Sequence, residues 1–491
     1  MNGIRFLERL TFFIVLAGLL ATLASAAWDL QIDNTEMVAI ISLTVGAIVL
    51  IPLIYSNFIN PVGIYVWFVL IVLLSMPVRW IFLTRLVSEG PIFILLHKDL
   101  TQFVPGALVA SLAILCVVAG YLSGGRQQLI EPRKIIAWGE IVEGKFSLFI
   151  SLAVLISMSA MAIYLKETGF SLADLSSISA KRSAASGADV DGYLRRLCDM
   201  IYMLTIITAA FSTKSQSRYA SYLKRLAWFT ASLAIFWAVA SSVRAGIIFV
   251  ALSLMAIQAQ ARRREFPIGI LIIAILLGNF AFTFISSARK GNTDITAITT
   301  DFIEFRGLES IATAGNLGGT IFTQHMMDLV PSTIEYQNGG TFAYIFIAPI
   351  PRDVWPDKPK ALGALLEDYM GSQTAARRGG GMATGLVGEI LLNFGVWGIV
   401  PIMVLFGVLM RLVENTFSPI ATQSAAAIAL QQTLAISIVY NLYGYNLARG
   451  GVDLIFSMLV FTMILWLSSG NHKNKSTNLH PTTLKNLQSL K

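Results

Sequence analysis

The stretch FSLFISLAVLISMSAMAIYL, residues 146–165, has twenty residues and none that is charged. An α-helix rises about 1.5 Å per residue, so this stretch as a helix is about 30 Å long, the thickness of a bilayer's hydrocarbon core. No water reaches the backbone inside that core, and a helix satisfies every backbone group within the segment itself. The stretch therefore predicts a transmembrane helix.

The rest of the chain repeats this pattern, and we predict twelve membrane-spanning helices in all. The segments 197–211 and 246–260 are short and are expected to extend into their flanks. The predicted segments are 10–28, 37–55, 62–83, 103–122, 146–165, 197–211, 226–243, 246–260, 267–287, 384–410, 420–440 and 452–469.

The composition agrees with a polytopic membrane protein and argues against a soluble enzyme. Of the 491 residues 55% are hydrophobic and only 13% are charged. The two cysteines, Cys116 and Cys198, lie in apolar segments, so neither a disulfide framework nor a zinc-ligand spacing is present. The four histidines are scattered along the chain. We expect no metal and no cofactor.

The basic residues predict the orientation of the helices. With the N-terminus inside, every second loop is the basic one, as the positive-inside rule requires. The net charge of +8 is then a topology signal and not a nucleic-acid-binding surface. Both termini are predicted to be cytoplasmic. The residues on that side are Arg5, Arg9, Arg126, Arg133, Lys134, Lys145, Lys214, Arg218, Lys224, Arg225, Arg262, Arg263, Arg264, Arg411 and the Lys-rich tail.

Two local alternatives stay open. The sequence Ala24-Ser25-Ala26 after the first apolar run resembles a signal-peptidase site, and cleavage there leaves eleven helices with unchanged orientation. The spacing of apolar residues between Asp301 and Leu329 predicts a helix. That helix lies either along the membrane surface or against its neighbours in the bundle.

We divide the chain into four parts. Residues 1–287 hold helices one to nine, and residues 288–383 form one large external loop. Residues 384–469 hold the last three helices, and residues 470–491 are a cytoplasmic tail. A loop of that length between helices is too long for a linker, which predicts that it is ordered and functional.

A short segment inside that loop, PIPRDVWPDKPK at residues 349–360, is charged and rich in proline. We call it the proline knuckle. Its four prolines fix φ, so the charged side chains are held at low entropic cost. About 25 residues later follows TGLVGEILLNFGVWG, residues 384–398.

Together these two motifs resemble those of the bacterial oligosaccharide repeat-unit polymerases, the Wzy-type O-antigen polymerases. Members of that family show a P-R-x-x-W-P-x-K-P knuckle late in a large periplasmic loop. A T-G-x-x-G-E-x-x-x-N-F-G segment then enters the next membrane helix. The resemblance covers about 50 residues, and the number of helices is also similar.

The resemblance implies a fold and an activity. The fold is that of the GT-C-like membrane glycosyltransferases in the bacterial inner membrane, with the large loop in the periplasm. The activity is transfer of a growing glycan from undecaprenyl pyrophosphate to the non-reducing end of a new lipid-linked repeat unit. Lipid-linked oligosaccharides and membrane lipid are the implied partners, and a chain-length regulator protein is expected for the family.

Such a reaction needs fixed positive charge for the diphosphate and a base for the acceptor hydroxyl. Arg377 and Arg378 are followed by Gly379, Gly380 and Gly381. The backbone N–H groups of the glycines and the two guanidiniums together offer a phosphate cradle. The alternative for each basic residue is a snorkelling helix end or a solvated turn. The candidate diphosphate contacts are Arg244, Arg289, Arg352, Lys358, Arg377 and Arg378.

Glu389 is the sharpest acidic candidate, because an ionisable group just inside an apolar run is costly and usually functional or paired. Asp353 and His325 are the other candidate bases, so the catalytic set is Glu389, Asp353 and His325. The candidate glycan contacts are Trp355, Asn393, Tyr443 and Arg449. The Asp-x-Asp pattern at Asp189 and Asp191 is the spacing of metal-using glycosyltransferases, but the arginines make a metal unnecessary.

Two other functions remain open. An O-antigen ligase would use similar chemistry, and the proline knuckle favours a polymerase over it. A lipid-linked oligosaccharide flippase has a similar number of helices. The dominant external loop and the scarcity of charge inside the membrane segments disfavour this alternative.

Overall fold

The computed structural model describes a discontinuous set of residues, and every structural statement below concerns these. They are 34–55, 63–80, 103–130, 141–167, 189–241, 244–262, 283, 295–303, 319–348, 350, 354–359, 362, 365–366, 384–421, 424–445 and 447–469. Within these ranges the chain is helical with short turns and has no strand; one isolated backbone bridge joins Ile141 and Ser469.

Seven of the described α-helices lie in the first half of the chain. They are α1 (Asn34–Tyr55), α2 (Ile64–Leu73), α3 (Val104–Ser123), α4 (Glu143–Glu167), α5 (Asp189–Lys214), α6 (Ala220–Ala240) and α7 (Arg244–Arg262).

Seven more are described in the second half. They are α8 (Ile295–Ile303), α9 (Gly319–Leu329), α10 (Gly340–Ile347), α11 (Gly385–Phe394), α12 (Ile399–Ala421), α13 (Ala425–Ala435) and α14 (Leu447–Ser468).

Five of the described helices are long and apolar enough to cross a membrane, which agrees with the predicted class of all-α membrane protein. Twelve crossings, their orientation and a periplasmic loop stay predictions, and the segments 10–28 and 267–282 lie outside the described residues. The five are Val104–Ser123, Glu143–Glu167, Ala220–Ala240, Val396–Ser418 and Gly450–Ser468.

The outward faces of these helices are apolar. On α4 the exposed side chains Leu148, Leu152 and Leu155 are spaced three and four residues apart, so they share one face. Trp397 is 92% exposed and Trp466 is 74% exposed. Exposed leucine faces with tryptophans near helix ends are typical of a surface that lies in lipid.

The packing among the described helices centres on α5 and on the pair formed by α3 and α12. The helix α5 packs against α4, α6, α7 and α13, and α3 packs along α12. The second contact is close because two glycines face the opposite backbone. A Cβ on Gly120 would collide with the Val404 carbonyl, and a Cβ on Gly407 would collide with the Val117 carbonyl. Small residues that let backbones approach are the usual means of helix packing in membranes.

The single helix expected over 384–410 is wrong, because the chain breaks in the middle of this apolar run. After α11, Gly395 adopts a left-handed φ of 65°, one 3₁₀ turn follows at Val396–Gly398, and α12 then begins at Ile399. A Cβ on Gly395 would lie 3.0 Å from the Tyr336 hydroxyl, so both the φ angle and the space favour glycine. The break leaves α11 as a helix of ten residues.

The structure describes two parts of the helical region expected between Asp301 and Leu329. Its described parts are α8 and α9, and α9 packs against α3 and α11. Gln324 on α9 is buried and accepts a hydrogen bond from the Gly106 N–H at 2.7 Å. For α9, the structure therefore favours the interpretation as a helix packed on its neighbours.

Two segments of the bundle wind as π-helix, Leu74–Val78 after α2 and Ile436–Tyr445 after α13. A π-helix is rare and is frequently found at functional sites. Each segment contributes residues to a small cavity beside the start of α11, which is described below.

Candidate functional site

The carboxylate of Glu389 is buried and bonded to the start of another helix. The side chain of Glu389 is fully buried on α11. Its Oε2 accepts a hydrogen bond from the Leu447 N–H at 2.6 Å, and Leu447 is the first residue of α14. A carboxylate at a helix N-terminus satisfies an otherwise unpaired N–H and faces the positive end of the helix dipole. Glu389 thus joins α11 to α14.

Asn393, one turn further along α11, bonds the loop segment ahead of α10. Its Oδ1 accepts from the Gly339 N–H at 2.8 Å, and its Nδ2 donates to the Thr341 hydroxyl at 2.6 Å and to the Glu389 carbonyl at 2.8 Å. Thr341 also interacts with the Glu389 carboxylate. The backbone N–H of Gln337 donates to the Leu392 carbonyl at 3.0 Å. The sequence predicted Asn393 as a glycan contact, whereas here its amide holds α10 on α11.

Lys358 makes the contacts that fix the described part of the proline knuckle. This lysine is only 6% exposed, and its Nζ donates to the Ala348 carbonyl at 3.0 Å and the Ile350 carbonyl at 2.7 Å. It also lies 5.6 Å from the ring centroid of Tyr344, a residue of α10. These contacts give Lys358 a structural role that ties the knuckle to the end of α10. Trp355 is 38% exposed.

A cavity of about 150 Å³ lies between α5, α7, α14, the end of α13 and the second π-helix. Arg195, Arg196 and Asp199 line it from α5, and Asp453 lines it from α14. The Arg196 Nε donates to Asp453 Oδ1 at 3.3 Å, and Arg195 Nε lies 3.8 Å from Asp199 Oδ2. Asp453 is six residues beyond Leu447 on α14, so the cavity and Glu389 are connected by about two turns of one helix.

A second, smaller cavity of about 20 Å³ lies beside the start of α11. Both π segments contribute to it through Ser75 and Tyr443, and α11 contributes Gly385. The Tyr443 ring meets Phe68 edge-on, with ring centroids 5.3 Å apart. Tyr443 was predicted to contact glycan, and its contacts in the structure are with other aromatic rings.

The remaining predicted residues are placed only in part. His325 lies half-buried on α9, and the side chain of Arg244, at the start of α7, is outside the described residues, as is that of Arg449 on α14. Their predicted roles stay predictions. The residues that lie wholly outside the described ranges are Arg289, Arg352, Asp353, Arg377 and Arg378.

The sequence analysis missed the two arginines of the cavity. Arg195 and Arg196 precede the apolar segment 197–211, and α5 begins earlier, at Asp189. Two adjacent arginines on the predicted outer side of the membrane are an exception to the positive-inside pattern, and that exception was the available signal. Asp453 lies four residues after Arg449, one of the predicted glycan contacts.

The described residues contain no group of three histidine, cysteine or acidic side chains that would bind a metal ion. Comparisons of the chain with models of protein families, with curated proteins and with solved structures gave no match.

Proposed function

We propose that the protein is a membrane glycosyltransferase that polymerises lipid-linked oligosaccharide repeat units. The donor is a growing glycan on undecaprenyl pyrophosphate, and the acceptor is the non-reducing end of a new lipid-linked repeat. In this proposal the reaction takes place at the periplasmic face of a bacterial inner membrane, with both termini in the cytoplasm.

One observation carries the proposal: the two motifs of the resemblance are linked through α10, whose start bonds the second motif and whose end bonds the proline knuckle. Asn393 belongs to the second motif and bonds Gly339, which lies 54 residues earlier in the chain. From Gly339 the helix α10 leads to Ala348 and Ile350, whose carbonyls bind Lys358 of the proline knuckle. Packing of the two segments into one unit is what a shared catalytic role would require.

The chemistry assigned to this unit is a displacement at the anomeric carbon. The bond between that carbon and the diphosphate oxygen breaks, and undecaprenyl pyrophosphate leaves with the electron pair. An acceptor hydroxyl oxygen forms the new bond, and its proton passes to a base. Arg352 in the knuckle is the proposed diphosphate contact, because a guanidinium binds two phosphate oxygens at once.

The sequence predicted Glu389 as a catalytic residue, and the proposal gives it a different role. It lines neither cavity described above, and its carboxylate bonds the start of α14. We assign it the role of a positioning residue that fixes the start of α14, and a role as general base stays a prediction.

A glycan profile of a deletion strain tests the proposed function. We expect surface glycan capped with a single repeat unit, restored to long polymer by the wild-type gene. Arg352→Ala is expected to restore no polymer although the protein reaches the membrane, and Arg352→Lys to restore little. Losing one such contact in the transition state costs about 3 kcal/mol, roughly a hundredfold in rate.

Other profiles would contradict the proposal in distinct ways. Complete loss of the surface cap would indicate a ligase. Accumulation of lipid-linked repeats on the cytoplasmic side would indicate a flippase. Long polymer from Arg352→Ala would mean that the knuckle does not bind the diphosphate.

A further inference from the structure

The cavity between α5, α7 and α14 has the composition of a ligand site rather than of a packing defect. Its wall contains charged groups on α5 and α14 and aromatic side chains from four helical segments. The aromatic residues are Tyr202, Phe249, Tyr440 and Phe456. An apolar pocket with a few convergent polar groups is the usual form of a small-molecule site.

The charges in this wall cancel. Arg196 pairs with Asp453 at 3.3 Å, and Arg195 lies 3.8 Å from Asp199. The carboxylates disfavour a bare diphosphate, which needs uncompensated positive charge. A lipid tail is disfavoured too, because it offers no hydrogen-bonding group to this polar wall. The wall suits an uncharged ligand that carries many hydroxyl groups.

Two polar atoms in the wall make no hydrogen bond within the described part of the chain. Thr433 is 4% exposed and lines the cavity, and its Oγ1 makes no hydrogen bond there; neither does the Arg195 Nε. A buried hydroxyl or guanidinium nitrogen without a hydrogen bond costs free energy, so each such group in a native structure needs an explanation. A ligand with several hydroxyl groups would supply hydrogen-bonding partners for them.

The size of the cavity limits the ligand. A cavity of about 150 Å³ is large enough for a six-membered ring, as a cavity of roughly this volume in another protein binds benzene. The present cavity is partly open, so a ring bound in it can remain attached to a longer chain.

We infer that this cavity binds one sugar ring of the lipid-linked oligosaccharide, with the aromatic side chains against the ring. Arg195, Asp199 and Thr433 then hydrogen-bond its hydroxyl groups. The inference rests on the proposed function, because that function supplies the glycan, and it deepens it by separating a sugar subsite from the diphosphate contact at the proline knuckle.

The test measures binding to the purified full-length protein in detergent. The probe is the repeat-unit oligosaccharide that mild acid releases from the lipid carrier of the deletion strain, and inorganic pyrophosphate is a second probe. A ligand that binds the folded state raises the melting temperature in a concentration-dependent way, which gives the dissociation constant.

We expect the oligosaccharide to bind the wild type and to bind Thr433→Val about tenfold more weakly, since one hydrogen bond is lost. Thr433→Ser keeps the hydroxyl and should bind as the wild type does. Thr205→Val is the matched control, because Thr205 is equally buried but its hydroxyl bonds its own helix at the Ile201 carbonyl and lines no part of the cavity. Arg195→Gln should weaken the oligosaccharide without changing any effect of pyrophosphate.

Three outcomes would overturn the inference. One is equal binding of the oligosaccharide by the wild type and by both Thr433→Val and Arg195→Gln. Another is stabilisation by pyrophosphate that Arg195→Gln abolishes, which would make the cavity a diphosphate site. In both cases a single-repeat cap in the deletion strain would leave the proposed function standing. The third is long polymer in the deletion strain, which would remove the proposed function and this inference with it.

Discussion

Asn393 makes the densest set of side-chain hydrogen bonds at the candidate site, with one accepted and two donated bonds. Replacing it with alanine leaves the partly buried Gly339 N–H unpaired and frees α10 from α11. At about 1 kcal/mol for each net hydrogen bond, we expect Asn393→Ala to lower the free energy of unfolding by roughly 2–3 kcal/mol. Thermal unfolding of the purified protein measures the change.

The matched control for this substitution is Asn415→Ala. Asn415 donates two hydrogen bonds, to the Gly125 and Gln127 carbonyls, and both bonds are at the exposed surface. Because water replaces such bonds easily, the control should lose under 1 kcal/mol. Equal losses from the two variants would mean that Asn393 does not hold α10 in place.

Glu389 gives the second prediction at the residue scale. Glutamine keeps the shape and an oxygen that accepts from the Leu447 N–H, but it removes the charge. We expect Glu389→Gln to reach the membrane at the normal level and to shorten the polymer sharply, as read from the glycan profile, because a neutral amide faces the positive end of the α14 dipole less favourably and holds the start of α14 less firmly. Glu389→Leu should also lower the melting temperature, because the Leu447 N–H loses its partner.

Glu143→Gln serves as control for charge removal in a region remote from the proposed chemistry. Glu143 accepts a hydrogen bond from the Ser215 hydroxyl at 2.6 Å at the predicted cytoplasmic ends of α4 and α5. That variant should make polymer of normal length. Normal polymer from Glu389→Gln as well would reduce Glu389 to a packing residue.

At the scale of elements, the contact of α3 with α12 depends on two glycines that face opposite backbones. Gly120→Val or Gly407→Val places a side chain where a carbonyl already lies, so the two helices must separate. We expect either variant to reduce the amount of folded protein in the membrane several-fold, as measured by fluorescence-detected size exclusion. Gly340→Ala is the control, since a Cβ there meets nothing within 4 Å.

Hydropathy predicted elements well wherever a helix is uninterrupted. The prediction 146–165 became Glu143–Glu167, and 103–122 became Val104–Ser123. It missed the break at Gly395, because a scale that sums transfer free energies does not register a single residue with positive φ inside an apolar run.

The candidate site was predictable only in part. Glu389 and Asn393 stood out as polar groups in an apolar segment. Their partners did not, because Gly339 and Leu447 bind through backbone N–H groups that any residue type possesses. The cavity needs residues from α5, α7 and α14, and no local pattern encodes that they meet.

For the whole molecule, the positive-inside pattern predicts which surface faces which compartment. Reporter fusions at Arg263 and Asn338 should read cytoplasm and periplasm respectively, because Arg262–Arg264 is a basic cluster and Asn338 belongs to the predicted external loop. Arg263 lies outside the described residues, so this prediction rests on sequence alone. The same reading from both fusions would mean that the predicted number of crossings between them is wrong.

The segment Ile436–Tyr445 is a π-helix of ten residues. The orientation of every residue after it therefore depends on the number of residues in this segment. Each residue of an α-helix turns the chain by about 100°, and a π-helix accommodates additional residues by widening its turns. Deleting one residue here would therefore rotate everything downstream, taking the Leu447 N–H away from Glu389 and Asp453 away from the cavity. Across natural variants of this gene, we expect substitutions to accumulate in this segment while insertions and deletions do not.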